Sequence, residues 1–297
     1  MGKVAFVFSG QGDQFPGMGK ELMESSAGAE VFALCDAIRP GTSEQCFSGS
    51  AEELKNTENT QPCLYAVELA YAACLQKMGL HPDAVAGFSL GEITAAAFAG
   101  LYSWETGFHL VCRRGQLMQQ AAKEHDTSMA AVLKLSREQV ETLCSARNGL
   151  YPVNFNCPGQ IAVSGLSDQM QLFMADVKAA GGRAVPLKVT GAFHSPFMSS
   201  AADAFAEELA GAQFLKPNVP LYSDLTAQVY GDNPRKLLSQ QICNPVHWEE
   251  LIKNMISQGI DTFVEMGPGR TLTNLIRKID PAVHGVTAKE KLEEYHD

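Results

Sequence analysis

The chain has 297 residues, enough to bury a large core in one big domain or two smaller ones. Hydrophobic residues make up 45% and charged residues 19%, the balance of an ordinary soluble globular protein. The formal net charge of −10, with no Lys/Arg-dense stretch, argues against a general nucleic-acid binder, and no run of about 18 apolar residues reads as a membrane span.

In chain order, "KVAFVFSGQG" is a β-rich run that predicts a buried strand feeding a tight loop. "QPCLYAVELAYAACLQKMGL" predicts a helix with Pro62 at its start and Gly79 as its stop. "DAVAGFSLGEITAAAFAG" places an apolar run before Gly87-Phe88-Ser89-Leu90-Gly91 and an alanine-rich helical segment after it. That is the strand–turn–helix setting of a nucleophile elbow. A further helix covers "SWETGFHLVCRRGQLMQQAAKEH", with Ser103 at its N-terminus. Residues 128–189 then alternate as strand, helix, strand, strand, helix, strand, the order of a ferredoxin-like unit. After them come a loop and helix in "GAFHSPFMSSAADAFAEELAGA" and a strand in "VPLYSD". "PRKLLSQQICNPVHWEELIKNMISQG" is helical with an interruption at Pro245, and "DTFVEMGPGRTLTNLIRKI" reads as strand, glycine turn and helix. The outer segments favour a parallel sheet covered by helices. The expected division is a large α/β domain from residues 1–127 and 190–297, interrupted by a small domain at 128–189.

Ser89 reads as a nucleophile or as a capping serine in a structural turn, and a nucleophile needs a base. Among seven histidines, His194 stands directly after a strand in "VTGAFHSPF", between Gly191 and Pro196, where catalytic groups concentrate. In the helix beginning at Ser103, Gly107, Leu110, Val111, Leu117, Met118 and Ala121 form one stripe at helical spacing. Arg114 falls in that stripe and Arg113 does not. A guanidinium facing inward must be partnered, which leaves open a buried bridge to Asp or Glu, or a fork for a substrate carboxylate. The glycines of Gly10-Gln11-Gly12 allow main-chain N–H groups to point into a site, and the N–H of Leu90 follows the serine as an oxyanion donor does. "GPGR" lacks the lysine of a phosphate loop. The eight cysteines form no C-x-x-C pair and read as reduced thiols of a cytoplasmic protein, without a metal site.

"FSGQGDQFPGMGKEL", "TQPCL", "GFSLGE", "RRGQLMQ", "NFNCPGQIAVSG", "GAFHSPFM", "NPVHW" and "EMGPGRTLTNL" occur in the order and spacing of the bacterial malonyl-CoA:acyl carrier protein transacylases. The chain resembles that family from about residue 3 to residue 279. The resemblance implies an α/β-hydrolase-like large domain with an inserted ferredoxin-like small one. It also implies transfer of a malonyl group from malonyl-CoA to the phosphopantetheine thiol of acyl carrier protein, in fatty-acid biosynthesis, with no cofactor. Residue by residue, it makes Ser89 the nucleophile, His194 its base and Arg114 the grip on the malonyl carboxylate. Gln11 and Leu90 become the oxyanion-hole amides, and the main-chain carbonyl of Gln241 orients the histidine. Gln61, Met118 and Asn156 fall near the pocket. Phe193 matches the aromatic residue that accompanies malonyl rather than methylmalonyl in related polyketide acyltransferases. Phe88 departs from the pattern, since the family usually carries histidine there. A stand-alone polyketide acyltransferase and a serine hydrolase of acyl thioesters are the competing readings. A monomer is expected. Because carrier proteins are generally acidic, a local basic patch is also expected near the cleft, drawn from Arg183, Lys188, Arg277 or Lys278.

Overall fold

A computed structural model describes residues 2–189 and 191–296, and for Tyr295 and His296 the main chain only. The expected junction at Thr190 therefore lies outside the described residues. Nine strands are present among the described residues: β1 (Lys3–Phe8), β2 (Ala84–Gly87), β3 (Thr127–Leu133), β4 (Leu150–Cys157), β5 (Gln160–Leu166), β6 (Arg183–Pro186), β7 (Leu221–Tyr222), β8 (Ile260–Met266) and β9 (His284–Thr287). Five of them form a parallel sheet in the order β7-β2-β1-β8-β9. Helices cover this sheet, so its central strands are buried on both faces: Ala5–Phe8 of β1 and all of β2 are buried.

The register places Phe8 beside both Gly87 and Met266. The loops after β1, β2 and β8 therefore leave from one edge of the sheet. Strand order reverses around β1, and a crevice outside the carboxyl ends at such a reversal is where open α/β sheets bind ligands. The sequence puts Gly10-Gln11-Gly12, Ser89 and "GPGR" on those three loops.

The other four strands form an antiparallel sheet in the order β4-β5-β3-β6, with helices Arg137–Ser145 and Ser167–Ala179 on one face. Numbered within this unit, the order is second-third-first-fourth, with each helix following a strand, as in ferredoxin-like units. Side-chain alternation divides the labour. Ala130, Val132 and Phe155 pack with Val140 and Phe173 of the helices, while Met129, Asn154, Asn156 and Ala162 face a cavity toward the large sheet. β4 is also stitched to the large domain. Phe155 N–H donates to the carbonyl of Val246 at 2.9 Å, and Val246 N–H donates to that of Val153 at 2.8 Å.

Two elements differ from the sequence reading. The long helix spans Thr57–Lys77, so Pro62 lies inside it rather than at its start. Its first turn is anchored from outside the ladder: Thr57 N–H donates to Gln119 Oε1, and the Thr60 hydroxyl donates to the carbonyls of Leu54 and Asn56. A proline in the second turn then removes one ladder bond without unravelling the start. At the other end, where the sequence suggests no element, β9 pairs with β8 and the helix Ala288–His296 follows it. No helix among the described residues is long and apolar enough to cross a membrane.

Candidate active site

Ser89 follows β2 with φ 55° and ψ −107°, a conformation rarely adopted by a residue with a side chain. The flanking glycines make this turn possible. A Cβ on Gly87 would lie 2.0 Å from the carbonyl carbon of Gly91, and one on Gly91 would lie 2.3 Å from the Phe8 oxygen. The strained main chain is held on both sides. Ser89 N–H donates to Asp224 Oδ2 at 2.6 Å, and Gln241 Nε2 donates to the Ser89 carbonyl at 2.8 Å.

His194 also has a positive φ, 60°, in the loop that Gly191 opens. Its Nε2 lies 2.8 Å from Ser89 Oγ and its Nδ1 2.9 Å from the Gln241 carbonyl. The carbonyl can only accept, so Nδ1 carries the proton and Nε2 is free to take one from serine. Burial, then the neighbouring Arg114 charge, pushes the ring's pKa down to about 4.

The stripe on the helix Trp104–Ala121 holds: Arg114 is fully buried, while Arg113 is exposed and pairs with Glu208. Arg114 Nη1 donates to Gln61 Oε1 at 2.9 Å; Nη2 donates to Gln241 Oε1 at 2.7 Å and to Ser89 Oγ at 3.2 Å. Its Nε is buried with no partner, and among the described residues it makes no ion pair. The buried Arg–carboxylate bridge that the spacing left open is therefore absent. Burial lowers the guanidinium pKa to about 10, which still leaves it charged at neutral pH.

Ser89 and His194 open on a cavity of about 260 Å³ at the carboxyl ends of β1 and β2. Gln11, Leu90, Gln61, Met118, Asn156 and Phe193 all line it. No hydrogen bond from the main-chain N–H of Gln11 or Leu90 is present among the described residues. Gln61 Nε2 reaches Met118 Sδ at 3.3 Å, and Asn156 Oδ1 is buried without a partner. Phe88 also lines the cavity and packs edge-on against Trp248, with ring centroids 5.5 Å apart. Of the expected basic patch, Lys278 donates to Gln160 on the cavity wall, and exposed Lys188 sits between the wall residues Leu187 and Val189. Arg183 is exposed on β6, and Arg277 is engaged with the carbonyl of Gly285.

The sequence reading missed two acids behind the elbow, Glu92 and Asp224, both fully buried. It also assigned Gln241 a main-chain role only, whereas its side chain contacts Arg114 and the Ser89 carbonyl. Asp224 had a usable signal: it stands two residues past β7, at the same sheet edge as Ser89.

The acyl transferase domain family matches residues 5–289. The malonyl CoA-acyl carrier protein transacylase of Bacillus subtilis is 37% identical over 289 residues, covering 94% of this chain and 91% of its own; that of Escherichia coli is 38% identical over 288 residues, covering 94% and 93%. Among solved structures, the enzyme of that name from Clostridium perfringens superposes with a TM-score of 0.94 at 34% identity, covering 98% of this chain and 96% of its own. A malonyl-transacylase solved in complex with a type II PKS acyl-carrier protein gives 0.94 at 32% identity, covering 98% and 99%. With a serine elbow and a histidine partner on one cavity, a buried arginine hydrogen-bonded to that serine, and these matches over nearly its whole length, the chain belongs to the acyl transferase domain family.

Proposed function

We propose that the chain transfers a malonyl group from malonyl-CoA to the phosphopantetheine thiol of an acyl carrier protein, by a ping-pong route through a malonyl-serine at Ser89. His194 Nε2 takes the hydroxyl proton as Ser89 Oγ attacks the thioester carbonyl. The Gln11 and Leu90 amides receive the developing oxyanion. The imidazolium returns its proton to the departing CoA sulfur. His194 then deprotonates the carrier's thiol, which attacks the acyl-serine, and the proton returns to Ser89 Oγ.

The observation that carries this reading is the fully buried Arg114 with its Nε unpartnered, 3.2 Å from the nucleophile by Nη2. An acyl chain that ends in a carboxylate completes that guanidinium, whereas an acetyl group leaves it incomplete. An ordinary esterase would line the same position with apolar side chains. The malonyl and carrier specificity of the relatives supports the reading. We assign the acceptor to fatty-acid biosynthesis; the neighbour bound to a type II PKS carrier makes that carrier the second candidate.

The test mixes enzyme, malonyl-CoA and each holo-carrier and resolves the products by mass spectrometry. Malonyl-carrier should dominate over free malonate, with the fatty-acid carrier the faster acceptor. Ser89→Ala should show no malonyl-enzyme. Predominant free malonate would make the protein a hydrolase and overturn the proposal.

A further inference from the structure

Among the described residues Arg114 is a buried cation with no ion pair, a costly arrangement unless some charge nearby balances it. Two buried acids lie one residue away, on the far side of Gln241. Gln241 Oε1 accepts from Arg114, while Gln241 Nε2 faces Glu92 Oε2 at 3.2 Å and Asp224 Oδ2 at 3.4 Å. The groups packed around the acids are Tyr230, Tyr102, Arg114, Gln241 and the Ser89 main chain.

The donors around the two acids are unequal. Glu92 is surrounded: the Tyr230 hydroxyl donates to Oε1, and Asp224 N–H, at 2.8 Å, and Gln241 donate to Oε2. Asp224 Oδ2 accepts from Ser89 N–H, but its Oδ1 is buried with no donor. An ionised Asp224 would leave that oxygen unsatisfied, at the cost of a lost hydrogen bond in a dry site. Both carboxyls face the same Gln241 nitrogen, and a proton on Asp224 removes the charge that its donorless Oδ1 would otherwise carry.

We infer that Glu92 and Asp224 hold one proton between them, on Asp224, and that the single negative charge left on Glu92 balances Arg114 through the Gln241 carboxamide. Burial and the adjacent Glu92 both raise the Asp224 pKa, consistent with the geometry. The arrangement stabilises the cation without occupying its Nε edge, as a direct salt bridge would. Its consequence for substrate rests on Arg114 receiving the malonyl carboxylate. The pair acts as a positioning device, since neither acid touches the reacting atoms.

Each single neutral variant, Asp224→Asn or Glu92→Gln, still leaves one acid that can ionise. The double variant leaves none, so the incoming dicarboxylate must supply the missing charge. Free malonate, measured as a competitive inhibitor of acyl-enzyme formation, should bind within about threefold of wild type in either single variant and about tenfold or more tighter in the double. A double variant whose affinity is the product of the singles would overturn the charge balance, since a merely structural role adds up. Should the double variant fail to fold, infrared spectroscopy of the single variants decides. Wild type minus Asp224→Asn must show the carbonyl stretch of a neutral carboxylic acid at neutral pH, shifted in heavy water; its absence would overturn the proton assignment. That band does not depend on substrate, so it stands or falls separately from the role of Arg114 in binding malonyl.

Discussion

The cavity wall on the side of the parallel sheet is backed by a dense hydrogen-bond network, in which Ser89 and His194 at the cavity are tied to buried Arg114, Gln241, Glu92 and Asp224 behind them. The facing wall, from the small antiparallel sheet, offers Met129, Ala162 and two asparagines whose Oδ1 atoms have no partner. The first wall fixes atoms and the second shapes space. Parallel strands explain the first, because their carboxyl ends bring loops distant in sequence to one edge. A half-covered antiparallel sheet explains the second, because every other side chain on it faces the cavity. Mutations on the two walls should therefore fail in different ways: loss of chemistry or of charge recognition on one, change of acyl shape on the other.

The largest effect should follow from Arg114→Ala. It removes a charge-assisted contact worth about 1.5–3 kcal/mol and leaves Gln61 Oε1 and Gln241 Oε1 without their donor. Malonyl transfer should fall about 100-fold, and the ratio of malonyl to acetyl transfer should fall with it, read from steady-state rates with the two CoA esters. Equal losses for both substrates would break the assignment of carboxylate recognition to this wall.

The second effect is one of pH. With its pKa near 4, His194 is already neutral at pH 5. The rate of acyl-enzyme formation at pH 5 should then stay within about twofold of that at pH 7, whereas an ordinary histidine would impose a drop of about 25-fold. Rapid-quench measurement of the malonyl-enzyme across this range decides it; an inflection near 6.5 would mean that the ring is not as dry as its contacts imply. The same shift has a stability sign. The unfolded chain binds this proton near 6.5 and the folded chain near 4, so the contribution is present above 6.5 and is lost as pH falls toward 4, at about 3 kcal/mol in full.

How legible each part was follows from how local its signal is. The elbow is five consecutive residues, the Arg114 stripe is one helical periodicity, and His194 is marked by its neighbours Gly191 and Pro196. Glu92 carries no such mark and Asp224 only its place two residues past a strand, because their meaning is a contact across 132 residues of chain. In the sequence Glu92 is one polar residue at the start of a helix, which a solvent-facing residue explains equally well. Gln241 was half legible: the resemblance supplied its carbonyl, but its side chain gains a role only where the ends of β2 and β7 meet. The Pro62 reading failed because the bonds that hold the first turn come from Gln119, in another helix. For the small sheet, alternation and turn residues sufficed to read the strands, but not that Val246 would pair with its edge.

The smallest effect should come from Phe193, where the two walls touch. Its side chain lines the cavity and is 7% exposed, and its carbonyl accepts from the Ser164 hydroxyl of β5 at 3.1 Å. It precedes His194, whose positive φ fixes the direction in which the ring enters the cavity. Under the proposed function the ring would compete with an α-methyl branch on the acyl group for volume, and a methyl group in an apolar pocket discriminates by about 1–3 kcal/mol. Phe193→Ala should therefore raise methylmalonyl relative to malonyl transfer by about tenfold, measured by competition between the two CoA esters. His194 keeps its hydrogen bonds to Ser89 and Gln241 in this variant, so its rate with malonyl-CoA should fall less than that of Arg114→Ala. A fall in malonyl transfer as deep as that of Arg114→Ala, with no gain for the branched substrate, would show that Phe193 supports the histidine rather than shaping the acyl site, and would move it from the shaping wall to the one that fixes atoms.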